Sequence, residues 1–259
     1  MITIHGTKQK EETYALIAST WDDVDIGTAI EIIQPNDLGG KSLEKTIKSY
    51  FPNATSDSKN KSRYITITKT DDDPDILKLW RTYNELQFVD DIGFYSMPGI
   101  FGWNKIDVGS RLLIDHLNDL KGIGADFGCG YGYLTKNILE KCEDIDTLYA
   151  FDIDPKATQA CTKNVTNERA IIQIQDCTKP INDLPKLDFI IMNPPFHDGS
   201  TEDKELGQKF ILNAKHHLKK NGNLYIVANK HLPYEKILNV QFQSVKVIYE
   251  GDGFKIFKT

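Results

Sequence analysis

The stretch ADFGCGYGYL (125–134) places Gly128, Gly130 and Gly132 between an apolar run and a helical pattern. Glycines at such a turn let the backbone approach a ligand closely and can aim free helix N–H groups at an anion. The next apolar run ends in YAFDIDP, which puts Asp152, with Ile153 beside it, at the carboxyl end of a strand about twenty residues further on, where a carboxylate accepts from both hydroxyls of a ribose. The run after that closes in IQDC, so that Asp176, beside Cys177, can accept from the amino group of an adenine. Asp126 stands just ahead of the glycine turn, where its charge repels a pyrophosphate and suits an ammonium group. In the dinucleotide fingerprint G-x-G-x-x-G the third glycine falls one residue later than it does here. Two ligands fit this much: a nicotinamide dinucleotide, or a nucleoside that carries no phosphate and ends in an ammonium.

A second stretch, DFIIMNPPFHDGS (188–200), sets an apolar strand directly against Asn193, Pro194, Pro195 and Phe196. Proline fixes φ, lacks a backbone donor and pushes the preceding residue to extended geometry. Asn193 is therefore held at the end of a strand by a turn that cannot become helical.

Taken together, DFGCGYG, FDIDP, QDC and NPPF resemble the Rossmann-like S-adenosylmethionine-dependent methyltransferases, in which (N/D)-P-P-(F/Y/W) marks enzymes that methylate an amino or amide nitrogen conjugated to a planar system. The resemblance implies that the Asn193 side-chain oxygen and the Pro194 carbonyl accept the two N–H bonds of that nitrogen, so that its lone pair faces the methyl group, while Phe196 stacks on a flipped base. It implies a cofactor site made of Asp126, Gly128, Gly130, Gly132, Asp152, Ile153, Asp176, Cys177 and Asn193. Further stretches, YSMPGIFGWNKIDVGSRLLIDHL, NPPFHDG and GNLYIVANKHLPYEKIL, look like the RsmC-type bacterial ribosomal RNA guanine-N2 methyltransferases over about residues 60–259. That likeness implies S-adenosylmethionine as cofactor, guanine N2 in ribosomal RNA, of the small subunit, as acceptor, and ribosomal RNA or a ribosomal subunit as partner. It also implies that Phe101 and Asp107 close over the cofactor, and that the N-terminal part is a shortened, degenerate methyltransferase-like domain that supports the fold or contacts RNA. Adenine-N6 and protein-glutamine methylation share the motif, although glutamine enzymes usually carry NPPY. An RNA-binding assembly factor on the same scaffold is the non-enzymatic alternative.

The elements that must position these residues follow from hydrophobic periodicity. Residues 1–85 read as a small α/β domain: strand TAIEII, a turn at PNDLGG, helix SLEKTIKSYF, a polar loop and strand RYITIT. Residues 86–259 alternate strand and helix, with Asp107 and Asp154 as N-caps, Pro155 in a first turn, and a closing hairpin around Gly251, Asp252 and Gly253. The expected fold is α/β, a mostly parallel doubly wound sheet into which the C-terminal hairpin inserts one antiparallel strand.

The apolar share of 40% suits a buried core, and no apolar run exceeds five residues, so no membrane span is expected. MITIHGTKQKEE lacks the apolar centre of a signal peptide, which makes the cytoplasm the expected location. Cys129, Cys142, Cys161 and Cys177 show no metal-ligand spacing, so reduced buried thiols and no metal site are expected. A formal charge of −6 excludes coating of nucleic acid through the overall field. Affinity for RNA would need a local patch, for which Lys41, Lys45, Lys48, Lys59, Lys61 and Arg63 are the candidates. QPNDLGGKS lacks the first glycine of a phosphate-binding P-loop, having Pro35 in its place. His197 could touch substrate, and His216 and His217 are expected on a solvated helix face.

Overall fold

The computed structural model describes residues 1–194, 201–232 and 234–259, and the side chains of all of these but 201–204. It divides into two units, residues 1–87 with 97–99, and residues 88–96 with 100–259.

The first unit contains β1 (Ile2–His5), α1 (Lys10–Asp23), β2 (Ala29–Pro35), α2 (Gly40–Tyr50), β3 (Thr55–Lys59), β4 (Ser62–Thr68) and α3 (Ile76–Thr82). Its sheet runs β1-β2-β4-β3, with β1 parallel to β2 and the other pairs antiparallel. Alternate residues of β2 and β4, Ile30, Ile32, Ile65 and Ile67, are fully buried with Ile17, Trp21, Ile47 and Trp80. β1 and α1 lie ahead of the first element that periodicity picked out. β1 is only four residues long, and α1 exposes Leu16 beside its buried Ile17, which blurs its amphipathic pattern. The polar loop of the sequence reading contains β3, TSDSK, a mostly exposed edge strand whose pairing with β4 no hydrophobic pattern announces.

A short antiparallel pair, β5 (Gln87–Val89) and β6 (Phe94–Ser96), precedes the larger sheet. The elements that follow are α4 (Val108–His116), β7 (Gly122–Phe127), α5 (Tyr133–Lys141), β8 (Ile145–Asp152), α6 (Pro155–Asn164), β9 (Ala170–Ile174), β10 (Leu187–Met192), α7 (Thr201–His217), β11 (Leu218–Asn229), α8 (Tyr234–Gln241), β12 (Lys246–Gly251) and β13 (Phe254–Lys258). Seven strands form one sheet in the order β12-β13-β11-β10-β7-β8-β9, parallel except that β13 runs antiparallel to both its neighbours. The chain has the mostly parallel, doubly wound sheet, with one antiparallel strand from the C-terminal hairpin, expected from its alternating pattern. Asp252 and Gly253, both at positive φ, make the two-residue turn that lets β13 enter the sheet.

β10 shows why the centre reads as an unbroken apolar run. Phe189 and Ile191 bury into the layer with Leu113, Ile138 and Leu139, whereas Ile190 and Met192 bury into the opposite layer with Phe210, Ile211 and Leu238. Phe189 sits in register with Gly124 of β7, and a Cβ at that glycine would overlap its ring. Gly124→Ala is therefore expected to destabilise the protein by about 1–3 kcal/mol through overpacking. Equilibrium urea denaturation, read as a lowered midpoint with unchanged slope, checks this.

Candidate active site

The order of strands reverses between β7 and β10, since β8 lies on the far side of β7 and β11 on the far side of β10. Ligands of open parallel sheets bind in the crevice at such a point, outside the carboxyl ends of the strands. Phe127 is in register with Phe151 of β8 and with Met192 of β10. The next residue of each strand is Gly128, Asp152 and Asn193, so these three share one level on three adjacent strands. They line a cavity of about 460 Å³ together with Ile153, Asp176, Cys177 and Pro194. A hollow of about 590 Å³ near the amino ends of β7, β8 and β10 is lined instead by Asp144, Asp146 and Asp188. There Asp188 is already engaged by Lys219 at 2.7 Å and by the Ile123 N–H at 2.9 Å.

Gly128, Gly130 and Gly132 all adopt positive φ. A Cβ at Gly132 would also lie 2.9 Å from Cys161 Sγ, so this position lets α5 pass close to α6. The loop's donors are turned inward. The N–H groups of Gly128 and Cys129 donate to the Phe151 carbonyl at 2.8 and 2.9 Å, that of Gly130 to Asp152 Oδ2 at 2.9 Å, and that of Gly132 to the Cys129 carbonyl at 2.9 Å. With these four donors taken by the chain, the N–H groups of the three glycines are not free to cradle a phosphate, which favours the nucleoside among the two ligands that the glycine spacing alone admitted. A nucleoside without phosphate fits, and a pyrophosphate would displace the loop's own carboxylate.

Asp152 accepts from Gly130 N–H on one oxygen and from Asp154 N–H, at 3.0 Å, on the other. Each oxygen keeps a lone pair for further donors at the cavity wall. Burial raises its pKa, against the pull of these backbone donors. Ile153, 65% exposed, and Phe101, 59% exposed, leave apolar surface uncovered at the same cavity, suited to a planar ring. Asp176 also lines the cavity, but its oxygens are engaged by Thr178 N–H at 3.0 Å, Thr178 Oγ1 at 2.5 Å and Lys179 Nζ at 2.7 Å. The Lys179 and Thr178 contacts hold its carboxyl down at about 2. Burial pushes the Cys177 thiol well above its ordinary range, so it packs as an apolar group.

Asp126 is fully buried and is not among the residues lining the cavity. It caps α5 from below: Thr135 donates to it from Oγ1 at 2.7 Å and also from its backbone N–H. Its Oδ1 has no hydrogen-bond partner among the described residues.

Asn193 ends β10 with its amide fixed. Nδ2 donates to Asp107 Oδ1 at 2.7 Å and to Ser110 Oγ at 2.8 Å, while Oδ1 is buried with no partner among the described residues. Asp107 is the N-cap of α4, accepting from Ser110 N–H at 2.8 Å. It borders a side hollow of about 40 Å³ shared with Asn193, and is not among the residues lining the main cavity where the sequence likeness put it. Phe196 and His197 lie outside the described residues. His216 is exposed as expected, but His217 is not solvated: it is 4% exposed and accepts from the Ile181 N–H through Nε2 at 3.0 Å. Burial lowers its pKa to about 4, keeping the ring neutral. With Asn213, which donates to the Cys177 carbonyl at 2.9 Å, His217 ties α7 to the loop that carries Asp176. The signal for His217 was its helical spacing from the buried Phe210 and Ala214.

The methyltransferase small domain family matches residues 91–258. Ribosomal RNA small subunit methyltransferase C of Haemophilus influenzae strain PittGG is 30% identical over 260 residues, covering 99% of this chain and 78% of that protein. The protein of the same name from Pasteurella multocida strain Pm70 is 30% identical over 259 residues with the same coverage. Among solved structures, the T. thermophilus 16S rRNA N2 G1207 methyltransferase (RsmC), determined with AdoMet and guanosine, aligns with a TM-score of 0.78 at 18% identity. That alignment covers 99% of this chain and 71% of the other.

The buried Asp126 has a consequence in the ligand-free protein. Burial pushes its carboxyl up to about 7; the Thr135 hydrogen bonds oppose this and the neighbouring Asp152 charge adds to it. The folded pKa lies above the unfolded value of about 4, so stability is fully present below that pH and is lost as pH rises toward 7, by a few kcal/mol in order of magnitude. Asp126→Asn should flatten the decline between pH 4 and 7 and leave the mutant the more stable form at pH 8. Denaturant unfolding across that range measures it.

Proposed function

The chain belongs to the ribosomal RNA small subunit methyltransferase C family, and from that premise we propose that it transfers a methyl group from S-adenosylmethionine to the exocyclic N2 of a guanine in small-subunit ribosomal RNA. The observation that carries this is the Asn193 amide, whose two hydrogens are taken by Asp107 and Ser110 and whose oxygen is left without a partner among the described residues at the edge of the cavity.

The residues present fit the cofactor. The cavity has the volume of a small-molecule site. Asp152 offers charged acceptors to two ribose hydroxyls, the loop donors are already satisfied by the chain, and Ile153 provides an apolar face for an adenine. Bound there, S-adenosylmethionine supplies an electrophilic methyl group on a sulfonium.

The protein's part is to prepare the nitrogen. The lone pair of a guanine amino group is delocalised into the ring, which makes it a poor nucleophile. Asn193 Oδ1 accepts one of its N–H bonds and the Pro194 carbonyl the other, drawing the nitrogen toward tetrahedral geometry. The lone pair then points at the methyl carbon. As the nitrogen–carbon bond forms and the sulfur–carbon bond breaks, the nitrogen becomes cationic and acidic, and water takes its proton without a strong base. The Asn193 acceptor is fixed before the reaction by Asp107 and Ser110, so little reorganisation of it is required. A base stacked in a duplex does not reach such a pocket, so the target guanine lies in a loop, bulge or exposed strand.

RNA would be held in part by the first unit. Lys41 and Lys45 are exposed on α2, and Lys59 and Lys61 lie at the turn between β3 and β4. Two members of the sequence-derived patch contribute less: Glu44 pairs with Lys48 at 2.8 Å and with Arg63 at 3.3 Å. Among the described residues no helix is long and apolar enough to cross a membrane, and no cluster of His, Cys, Asp and Glu could hold a metal.

Incubation with labelled S-adenosylmethionine and small-subunit RNA from cells lacking the protein, followed by mass spectrometry of the nucleosides, should yield N2-methylguanosine. Methylated adenosine, or no methylated nucleoside, would overturn the proposal. Two variants separate the halves of the site. Asp152→Ala should weaken cofactor binding in calorimetry by roughly 1.5–3 kcal/mol. Asn193→Ala should lower turnover by about a hundredfold or more while cofactor affinity changes little.

A further inference from the structure

We infer that Asp107 and Ser110 are positioning residues for the methyl-transfer step, setting the orientation of the Asn193 amide and strengthening its oxygen as an acceptor. This rests on the function proposed above and assigns to the first turn of α4 a role that a helix cap alone does not require.

A side-chain amide has two orientations of nearly equal shape. Only one presents an oxygen to an incoming amino group; the other presents a second donor, which repels it. At Asn193 the choice is made by what lies behind it. Asp107 Oδ1 stands 2.7 Å from one amide atom, and a carboxylate oxygen accepts and cannot donate, so that atom is Nδ2. Ser110 Oγ takes the second hydrogen at 2.8 Å. Reversing the amide would set two oxygens against each other at the Asp107 contact, while the serine hydroxyl could donate instead of accept, so it is the carboxylate that fixes the orientation. The contact to Asp107 is charge-assisted, and withdrawing hydrogen density from the nitrogen makes the carbonyl oxygen of the same amide more negative.

The arrangement is rigid from behind as well. Asp107 Oδ1 also accepts the Ser110 N–H at 2.8 Å, so a single oxygen ties the end of β10 to the start of α4. Between them stands Gly109, where a Cβ would lie 3.1 Å from Asp107 Oδ1 and 3.1 Å from the Phe254 ring. The sequence Asp-Val-Gly-Ser is thus a cap, an exposed residue, a position where a Cβ would be tight against its neighbours, and a second acceptor for Asn193.

Asp107→Ser separates capping from positioning, because serine caps a helix as well as aspartate but is too short and uncharged to hold Asn193 in the same way. Turnover, KM for RNA, cofactor affinity and thermal midpoint are compared for the wild type, Asp107→Ser, Ser110→Ala, Asn193→Ala and the Asp107→Ser/Asn193→Ala double variant. The expected result is that Asp107→Ser lowers kcat by about ten- to a hundredfold, with KM, cofactor affinity and midpoint near wild type. Ser110→Ala does the same to a smaller degree. In the Asn193→Ala background Asp107→Ser costs nothing further, because its effect passes through the missing amide. An unchanged kcat in Asp107→Ser, or a loss that multiplies with that of Asn193→Ala, would overturn the inference.

A second readout needs no turnover. With asparagine side chains labelled with nitrogen-15, the Asn193 amide protons should resonate downfield and exchange slowly in the wild type, and lose both properties in Asp107→Ser. Identical resonances in the two proteins would overturn the inference even if the wild type proved active. Absence of methyl transfer by the wild type would sink the proposed function, while the resonances would still decide whether Asp107 orients Asn193.

Discussion

The parallel pairing of β7 with β10 is the constraint on which the site depends. Its register sets Phe127 beside Met192, so the glycine loop that follows one strand and the Asn-Pro turn that follows the other emerge together. A shift of one residue would turn the alternating side chains of β10 to the wrong layers as well as moving Asn193. Phe189 lying over Gly124 is one of the contacts that fix this register, because the ring fits only where its partner has no side chain.

Around that pair, the chain takes up many of its own polar groups next to the cavity. The glycine loop gives its donors to Phe151, Asp152 and Cys129, and α5 receives Asp126 at its amino end. The N–H groups of the three glycines are thus taken by the chain. At the cavity wall Asp152 keeps free lone pairs on a carboxylate, and the Asn193 amide oxygen has no partner among the described residues. The burial of Asp126 is costly in the ligand-free state, since its carboxyl is held up to about 7. A cationic ligand nearby would lessen that cost by favouring the ionised form.

Support for the site extends beyond the strands. α7 follows the Asn-Pro turn in sequence and reaches the Asp176 loop through Asn213 and His217, so the segment after that turn also steadies the opposite wall of the cavity. In the first unit, Arg81 joins α1 to the loop ahead of α3 by pairing with Asp22 at 2.6 Å and Asp73 at 2.7 Å. That unit carries its own aromatic core of Trp21, Phe51 and Trp80.

The sequence by itself determined the alternation of strands and helices in the larger unit, the caps at Asp107 and Asp154, the Asp-Gly turn of the last hairpin, and the residues at the strand ends. Each of these is local: a period of two or 3.6, a cap two or three residues from its donor, a dipeptide that accepts positive φ. It did not reveal β1, α1 or β3, whose patterns are too short or too mixed, and it placed His217 in solvent because its lysine and histidine neighbours outweighed its spacing from Phe210. Only the tertiary structure decided that the N–H groups of the three glycines are taken by the chain, that Asp126 is buried away from the cavity lining, and that Asp107 faces Asn193 across 86 residues of chain. Those facts concern which partner a polar group finds in space. That is set by strand order and register, and residue type and spacing along the chain do not encode it.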